Sequence, residues 1–440
     1  MIGGREVKGR KTVAVGLSGG VDSAVAAWTL KQQGHEVIGV FMRNWDESEE
    51  RGESTCSAEA DWTDAQRVAS HLSIPIHEAD FVRQYWTQVF SEFVAQYSQG
   101  LTPNPDLACN RHIKFGALLD FCRGLGADCV ATGHYARLAR CGETGRPLLL
   151  RGRDASKDQS YFLASVEGSA FSDVLFPLGN MHKAEVRRVA EAAGLPSAAR
   201  RSSAGICFIG RREFGDFITE YLGAIPGSFV DVETGDALGS CANLASVTHG
   251  QGAGISGLPE RMYVVGKDMR ERLAYVARGR DHPALFCATA ALQAPHWIAG
   301  DPPAGLTDGA PLRCQYKARY RQVLRACTLQ DVSGLSPAAA ATCDALQRSA
   351  HCRVADGAGE SPGLLVRFEQ PARAITPQQA FVMYHGDVCL GSAPVLHPGR
   401  SLFERGIPLD PSVSSAADTI DEAQAASALN SSWPDIGNRA

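Results

Sequence analysis

A segment rich in glycine and hydroxyl side chains near the start of the chain has the composition of a phosphate-binding turn. Ser18-Gly19-Gly20-Val21-Asp22-Ser23 follows an apolar run typical of a strand and precedes a helical pattern. Paired glycines let the backbone approach an anion closely, and the N–H groups at a helix N-terminus bind phosphate. The turn lacks the Gly-Lys-Ser/Thr of loops that support γ-phosphoryl transfer. We therefore predict a nucleotide that leaves as pyrophosphate, with Asp22 able to hold Mg²⁺.

Two of the thirteen cysteines stand in surroundings that would activate a thiol. Cys109 follows a proline-rich loop, predicted to be extended and rigid, and lies just before a predicted helix, whose dipole favours thiolate. Asp106, three residues earlier, has the position of an acid and base. Cys207 lies in a short apolar run between Ser/Gly residues and paired arginines, whose charge also favours thiolate. Taken alone, the Cys109 segment favours a proline-rich turn with a buried cysteine, and a bare Ser-Gly-Gly motif favours an ordinary capped turn. For Cys207, composition alone does not reject an ordinary buried strand cysteine.

The elements that must position these residues follow from the pattern of apolar residues. The first two hundred residues alternate β-branched runs with helical patterns, which predicts a parallel sheet with helices on both faces. The phosphate-binding turn then lies at the carboxyl end of the first strand, where such sheets bind ligands. Strands are predicted at 12–17, 37–42, 74–80 and 129–133, and helices at 22–33, 82–97 and 113–125.

The pattern changes after about residue 210 to glycine-punctuated hairpins, clearest at 262–265 and 273–277. We predict an α/β fold with an N-terminal sheet domain followed by two β-rich domains, the last barrel-like. Residues 336–363 are predicted to form an inserted loop, and the Ser-, Ala- and Asp-rich C-terminus a disordered tail. The predicted boundaries are 1–210, 211–282, 283–400 and 401–440.

Composition limits the class of protein. The chain has 440 residues, 44% hydrophobic and 21% charged, which is typical of globular proteins and excludes collagen-like repeats. No apolar run approaches the ~20 residues of a membrane span, and the first strand begins too early for a secretory signal, so a cytoplasmic protein is expected. The odd number of cysteines without a C-x-x-C pair favours reduced thiols. Most of the net charge of −5 comes from residues beyond 400, which leaves room for local basic clusters.

Several longer motifs occur in one order along the chain and resemble the tRNA-specific 2-thiouridylase (MnmA/TrmU) family of the PP-loop ATP pyrophosphatases. They include the phosphate-binding turn, Thr-Pro-Asn-Pro-Asp…Cys-Asn…Ile-Lys-Phe at 102–115 and Ala-Thr-Gly-His-Tyr at 131–135. Lys-Asp-Gln-Ser-Tyr-Phe-Leu at 157–163 and Gly-Ile-Cys-Phe-Ile-Gly at 205–210 follow. The resemblance continues at 263–268, 319–322 and 386–391, and so covers nearly all of residues 11–395.

The resemblance implies a nucleotide site, a pair of cysteines and an RNA surface. Asp106 would act as acid and base, Cys109 as the nucleophilic partner, and Cys207 as the persulfide carrier, with a Cys109–Cys207 disulfide formed during turnover. The ATP-binding positions would be Gly16, Leu17, Ser18, Gly19, Gly20, Val21, Asp22, Ser23, Met42 and Gly133. The tRNA-contacting positions would be Asn104, Pro105, Asp106, His134, Lys157, Asp158, Gln159, Arg319, Tyr320 and Gln379.

The reaction implied by the resemblance is the thiolation of the wobble uridine, position 34, of tRNA. ATP, with Mg²⁺, would adenylate the C2 oxygen and release pyrophosphate, and sulfur from the persulfide would then displace AMP. The expected partners are the tRNAs for Lys, Glu and Gln and a persulfide sulfur-donor protein. Two alternatives stay open: another PP-loop ATP-dependent RNA-modifying enzyme, and a tRNA-binding homologue with impaired catalysis.

Two segments depart from the family pattern. The usual Gly-Gln-Arg-Lys-Gly-Leu-Gly is here Gly-Gln-Gly-Ala-Gly-Ile-Ser at 250–256, so the loop lacks its basic pair. The usual Lys-Asp-Ser-Thr is here Arg-Ser-Ser-Ala at 201–204, so an acidic residue near the sulfur carrier is missing. The first departure weakens the expectation that this loop contacts tRNA.

Overall fold

The computed structural model of the chain describes residues 9–45, 57–200, 208–210, 212–307, 309–354 and 361–413. The α-helices are Val21–Gln32, Ser57–Leu72, Val82–Tyr85, Ser91–Ser98, Pro105–Ala108, Leu118–Gly124, Ser160–Leu163, Lys183–Ala192, Phe214–Leu222, Ala304–Thr307 and Pro337–Thr342. Two π-helical segments, Trp86–Phe90 and Cys109–Ala117, join neighbouring α-helices into longer helical runs. Short 3₁₀ turns lie at Gly168–Asp173, Leu244–Ser246, Pro283–Leu285 and Asp344–Leu346.

Eighteen strands are present in the described ranges. In chain order they are β1 (Thr12–Gly16), β2 (Glu36–Arg43), β3 (Ile76–Asp80), β4 (Cys129–Ala131), β5 (Ala136–Arg140), β6 (Pro147–Arg151), β7 (Val174–Leu175), β8 (Gly227–Asp231), β9 (Ala237–Cys241), β10 (Met262–Asp268), β11 (Leu273–Arg278), β12 (Phe286–Leu292), β13 (His296–Trp297), β14 (Leu312–Lys317), β15 (Arg325–Asp331), β16 (Leu364–Arg373), β17 (Ala380–His385) and β18 (Val388–Pro398).

The N-terminal sheet is parallel throughout and has the order β3-β2-β1-β4-β7. The strand order reverses between β1 and β4, so a crevice forms at their carboxyl ends. Val13 pairs with Val37 on one side and with Cys129 on the other, because β1 is the central strand, and its residues Val13 to Val15 are fully buried. The predicted parallel sheet is confirmed, and the predicted strand ends differ from the observed ones by one or two residues.

Helices cover both faces of this sheet, as predicted. Val25, Val68 and Val186, from three helices, belong to one apolar core. Val89 and Ile113, on the helical runs 82–98 and 105–124, belong to the core on the opposite face. Burial of these apolar faces, at about 25 cal/mol per Å², holds the helices against the sheet and fixes the loops at its edge.

Two β-rich units follow. The central one is a four-stranded sheet of order β10-β11-β8-β9, and the second is a closed six-stranded barrel of β12, β16, β15, β14, β17 and β18. The β5–β6 hairpin of the N-terminal unit extends the barrel sheet, since Leu149 in β6 pairs with Cys389 in β18. The predicted β-rich regions and barrel-like fold are confirmed, and backbone hydrogen bonds join the barrel to the N-terminal domain.

The start of the expected C-terminal tail is packed. Leu402 and Val413 are buried, and they share an apolar core with Val265, Leu285 and Phe286. The prediction of a disordered tail is therefore wrong for residues 401–413. The polar composition of the tail gave no indication that Leu402 and Val413 would pack against the central sheet.

The predicted inserted loop contains the helix Pro337–Thr342. In the described ranges, no helix combines the length and apolarity that a membrane crossing requires.

This packing predicts different outcomes for two truncations. A chain ending at residue 413 should unfold with the free energy of the full chain. A chain ending at 400 should lose roughly 2–4 kcal/mol of unfolding free energy, because the burial of Leu402 and Val413 is removed. Urea unfolding of both chains measures this difference, and equal stability of the two would contradict the packing.

Candidate active site

The phosphate-binding turn is a glycine cradle at the carboxyl end of β1. Gly19 has φ of +71°, and a Cβ there would lie 2.7 Å from both Arg200 Nη1 and the Asp61 carbonyl oxygen. Ser18 N–H donates to Ser23 Oγ at 3.2 Å, which folds the turn back onto the helix start. The N-cap of the helix Val21–Gln32 is Gly20, which has no side chain to bond the first N–H groups of the helix, and these N–H groups border the cradle. This geometry suits a phosphate anion.

The other predicted nucleotide positions meet the turn at the same sheet edge. Gly133 follows β4, and a Cβ on it would lie 2.9 Å from Ser23 N and from the Asp22 carbonyl carbon. Only glycine therefore allows the end of β4 to touch the start of the helix. Met42, near the end of β2, is half-buried beside this edge.

The carboxylate of Asp22 is held by two residues that the sequence did not single out. Lys183 Nζ donates to both carboxylate oxygens at 2.6 Å, and Tyr135 Oη donates to Oδ1 at 2.7 Å. Burial, and then the Asp22 charge, raise the pKa of Tyr135, which therefore keeps its proton. Lys183 is the first residue of the helix Lys183–Ala192, where the helix dipole disfavours a cation. A lysine at this unfavourable position was the sequence signal that could have identified Lys183 as a functional residue.

The segment with Asp106 and Cys109 is helical earlier than predicted. Asn104 Oδ1 accepts from Asp106 N–H at 3.1 Å, and Pro105 fits the first helical position, so the helix begins at Pro105. The prediction of an extended loop up to the cysteine was wrong for this reason. Burial raises the pKa of Asp106, opposed by Lys114. Cys109 is 5% exposed and lies three residues from Asp106, on the same helical face.

Cys207 lies outside the described residues, but the structure describes Arg200 before it and Phe208 directly after it. Arg200 pairs with Asp61 and, at 3.0 Å, with Asp64 above the glycine cradle. Phe208 is fully buried in an aromatic core that also contains Cys109. The expected persulfide and the Cys109–Cys207 disulfide stay predictions.

Two predicted tRNA contacts are buried side chains. His134 is 8% exposed, and its Nδ1 lies 2.7 Å from Thr132 Oγ1. Burial, assisted by Lys114, lowers its pKa well below the usual range, so the ring is neutral. Asp158 is 1% exposed and accepts hydrogen bonds from Gly152 N–H and from Lys317 Nζ, at 3.0 and 3.3 Å. The expected contact of these two side chains with tRNA is therefore not supported.

The remaining predicted tRNA positions gather where the N-terminal domain meets the barrel. Tyr320 packs on Phe162 with ring centroids 4.4 Å apart. Gln159 bonds to Tyr135 through both its backbone N–H and its side-chain oxygen, each at 2.9 Å. At the same junction Thr102 N–H donates to the Pro377 carbonyl oxygen at 3.1 Å. Pro105 is buried, and the positions with half-exposed side chains are Asn104, Asp106, Lys157, Gln159, Arg319, Tyr320 and Gln379.

A cleft of about 730 Å³ opens at this junction. Asn104 and Pro105 line it from the helical side, and Gln378 and His296 line it from the barrel. It is large enough for one splayed nucleotide, and its lining is mainly polar amides and small apolar groups.

The buried ion pair of Asp158 and Lys317 fixes this junction, since one residue belongs to each domain. We expect Lys317→Met to lower the unfolding free energy by about 3 kcal/mol, because it removes the buried ammonium from the Asp158 carboxylate, which then keeps Arg151, 3.4 Å away, as a cationic partner. Arg313→Met removes an exposed partner of Glu369 and should cost less than about 1 kcal/mol. Denaturant unfolding compares the two variants, and equal losses would contradict the assigned role of Lys317.

Comparison with protein families gives three consecutive matches. The family described as "tRNA methyl transferase HUP domain" matches residues 11–211, and its PRC-barrel domain matches 215–278. The "Aminomethyltransferase beta-barrel domain" matches 343–395. These ranges correspond to the parallel sheet, the central sheet and part of the barrel.

Curated relatives extend over most of the chain. The tRNA-specific 2-thiouridylase MnmA of Chromohalobacter salexigens is 43% identical over 385 residues, which is 86% of this chain and 91% of the relative. That of Marinobacter nauticus is 40% identical over 92% of this chain and 96% of the relative. A solved NMN synthetase from Francisella tularensis is 16% identical, with a TM-score of 0.28, over 48% of this chain and 72% of that one. The last likeness is too weak to bear on function.

The identity extends through the sheet that carries the glycine cradle, the helical segment with Asp106 and Cys109, and the barrel that closes the cleft. This chain belongs to the tRNA-specific 2-thiouridylase family of sulfurtransferases.

Proposed function

We propose that this chain uses ATP to replace the C2 oxygen of the wobble uridine, position 34, of tRNA by sulfur. The observation that carries this proposal is a short path between the two parts of the site. Lys114 lies close enough to both Asp106 and His134 to lower both pKa values, and Gly133, next to His134, touches the backbone of Asp22. Lys114 and His134 thus connect the acid–base group to Gly133, the residue that borders the phosphate cradle.

The cradle would hold the phosphates of ATP with the α-phosphorus facing the base. The C2 oxygen of uridine attacks this phosphorus, the bond to pyrophosphate breaks, and an adenylated uridine remains. Lys183 and the helix N–H groups neutralise the charge on the departing pyrophosphate. Asp106, whose pKa is raised by burial, is suited to holding or releasing a proton of the base.

Mg²⁺ belongs to the proposal as the ion that accompanies ATP. The Asp22 carboxylate is an oxygen ligand at the cradle, and it accepts hydrogen bonds from Lys183 and Tyr135. The Asp22 carboxylate could therefore bind Mg²⁺ once the Lys183 ammonium turns from the carboxylate to the phosphates of ATP. The ion would supply charge neutralisation on the leaving pyrophosphate.

Sulfur transfer would use the two cysteines. The terminal sulfur of a Cys207 persulfide attacks C2, and the bond from C2 to AMP breaks. Cys109 thiolate then attacks Cys207 Sγ, which releases the thiocarbonyl and leaves a Cys109–Cys207 disulfide. Alternatively, Cys109 attacks first and frees sulfide, which then attacks C2. In both routes a thiol reductant must reopen the disulfide.

The junction residues with half-exposed side chains are proposed to bind the anticodon loop. A base attacked at C2 must leave its stack and reach Asp106, and Asn104, which lines the cleft, lies two residues from Asp106. The tRNAs for Lys, Glu and Gln, a persulfide donor protein and a cytoplasmic location are part of this proposal. Identity of 40–43% to the 2-thiouridylases favours this activity over other PP-loop chemistry.

The proposal is tested by incubating the protein with ATP, Mg²⁺, sulfide, a thiol reductant and unmodified tRNA. Mass spectrometry of the nucleosides should show 2-thiouridine that depends on ATP. A tRNA with cytidine at position 34 is the matched control and should give none. Sulfur at another base, or equal yield without ATP, would contradict the proposal.

A further inference from the structure

A tryptophan ring lies exposed on the helical run 82–98. Trp86 is 43% exposed, although tryptophan side chains in folded proteins are on average highly buried. Its ring stacks on that of Trp45, with centroids 5.4 Å apart and planes inclined by 16°. The Phe90 ring supports both, with its centroid 4.7 Å from each. The outer face of the Trp86 ring is therefore a flat surface held in one orientation.

The surface around this ring is polar. Apart from Trp86 and the small Ala95, every exposed residue of the run 82–98 is polar or charged. A stable protein interface has a contiguous apolar core, whereas this run exposes one large ring among hydrogen-bonding side chains. Unpaired nucleic acid offers the matching shape, because a base stacks on an aromatic ring while its edges and phosphates bind polar groups.

Arg83, one turn before Trp86, brings a positive charge to the same helical face. Among the residues that the structure describes, no carboxylate pairs with the Arg83 guanidinium. The two acidic side chains that precede it are otherwise engaged. Asp80 accepts a backbone N–H at 3.0 Å, and Glu78 pairs with Arg43 at 2.6 Å. Arg83 is therefore available to a phosphate, beside a ring that is available to a base.

Trp45, Arg83 and Trp86, here called the stacking platform, lie at the carboxyl edge of the parallel sheet. Trp45 stands two residues after β2, and the other two follow β3. The glycine cradle is at the same edge, after β1. Phe208, directly after Cys207, packs on Trp45 with ring centroids 5.6 Å apart. The stacking platform thus lies on the side of the sheet where the proposed reaction takes place.

We propose that the stacking platform binds the anticodon loop of tRNA, with a base stacked on Trp86 and a phosphate bound by Arg83. The inference rests on the proposed function, which makes tRNA the substrate, and it adds a surface outside the predicted tRNA positions. The stacked base is a neighbour of the wobble uridine, which itself must reach Asp106. When one base is splayed out, its neighbours lose a stacking partner, and the Trp86 ring replaces that partner. The same helical run lines the cleft through Gln88 and Val89, so the platform and the cleft share one element.

The test is a mutant cycle between protein and RNA, measured as equilibrium affinity for an anticodon stem-loop. Trp86→Leu keeps an apolar contact with Trp45 but removes the flat ring, and we expect roughly tenfold weaker binding, a usual effect of losing one stacked base. Stem-loops that each lack one loop base identify the partner. One of them should bind the wild type roughly tenfold more weakly than the complete stem-loop, yet bind Trp86→Leu as well as the complete stem-loop does. Trp86→Tyr keeps a stacking ring and should respond like the wild type, whereas Trp86→Met should repeat the result of Trp86→Leu.

The charge of the platform is tested by the salt dependence of the same affinity. Arg83→Gln should make the salt slope shallower by about 0.7 unit, the value for one phosphate of a single strand. Leu335→Ala changes an apolar side chain of similar exposure, 40%, and Arg123→Gln changes an exposed arginine of the helix Leu118–Gly124. Both are controls and should bind like the wild type.

Unchanged affinity in Trp86→Leu, or the same losses for every abasic stem-loop in both proteins, would overturn the inference. It would also be overturned if Trp86→Leu bound RNA normally but accepted persulfide from a donor protein more slowly, because the ring would then belong to a protein interface. Wild-type thiolation is measured in parallel. Its absence would contradict the proposed function, whereas the coupling between Trp86 and one base decides the role of the stacking platform.

Discussion

Cys207→Ser is expected to abolish thiolation with a persulfide donor while tRNA and ATP binding remain. The variant has no thiol on which the persulfide can form. Cys109→Ser should be equally inactive, yet it should accumulate persulfide on Cys207, because loading does not require the second thiol. Cys141→Ser, a half-exposed cysteine at the end of β5, is the control and should be fully active.

The measurement for this prediction is peptide mapping of labelled sulfur in all three variants. The wild type, after turnover without reductant, should also show a Cys109–Cys207 disulfide. Such a bond brings the two Cα atoms to within ~7 Å. Label on other cysteines, with Cys207 unlabelled, would contradict the assignment.

Lys183→Met and Asp22→Asn are expected to lower tRNA-dependent pyrophosphate release by about 10²- to 10³-fold, the usual effect of removing one electrostatic contact at a reacting centre. Lys183 lies 2.6 Å from both Asp22 oxygens at the start of the phosphate-binding helix. Gly19→Val should abolish release altogether, because its Cβ would meet Arg200 and Asp61 at 2.7 Å.

The control for these variants is Lys31→Met, at the opposite end of the same helix, where the ammonium bonds to the Leu72 carbonyl oxygen. Its pyrophosphate release should equal that of wild type. Normal release in Lys183→Met or in Asp22→Asn would show that the cradle does not take part in adenylation.

The N-terminal fold was predictable because β1 and β4 are short apolar runs, largely buried in the sheet, and because helical patterns alternate with the strands. The helix start at Pro105 was missed, although the capping residue Asn104 and a proline at the first helical position are recognised signals. Two prolines were interpreted as an extended loop instead. The π-helical turn that begins at Cys109 has no sequence pattern of its own.

Sequence predicted the parts of the site whose residues are adjacent in the chain. It did not predict the parts that depend on contacts between residues far apart in the chain. The glycine cradle is contiguous in sequence. Lys183 reaches Asp22 from 161 residues away, so spacing could not pair them. Asp158 was expected at the RNA surface from its motif, but it pairs with Lys317 of the barrel, 159 residues distant, and is buried. The burial of Leu402 likewise depends on a sheet formed by earlier residues.

The central claim is that ATP activates the C2 oxygen of the wobble uridine. An anticodon stem-loop synthesised with ¹⁸O at that oxygen tests it, with sulfide as the sulfur source and a thiol reductant present. Mass spectrometry of the released AMP should show one ¹⁸O atom for each 2-thiouridine formed, because that oxygen leaves bonded to phosphorus. Unlabelled AMP alongside 2-thiouridine would contradict the account.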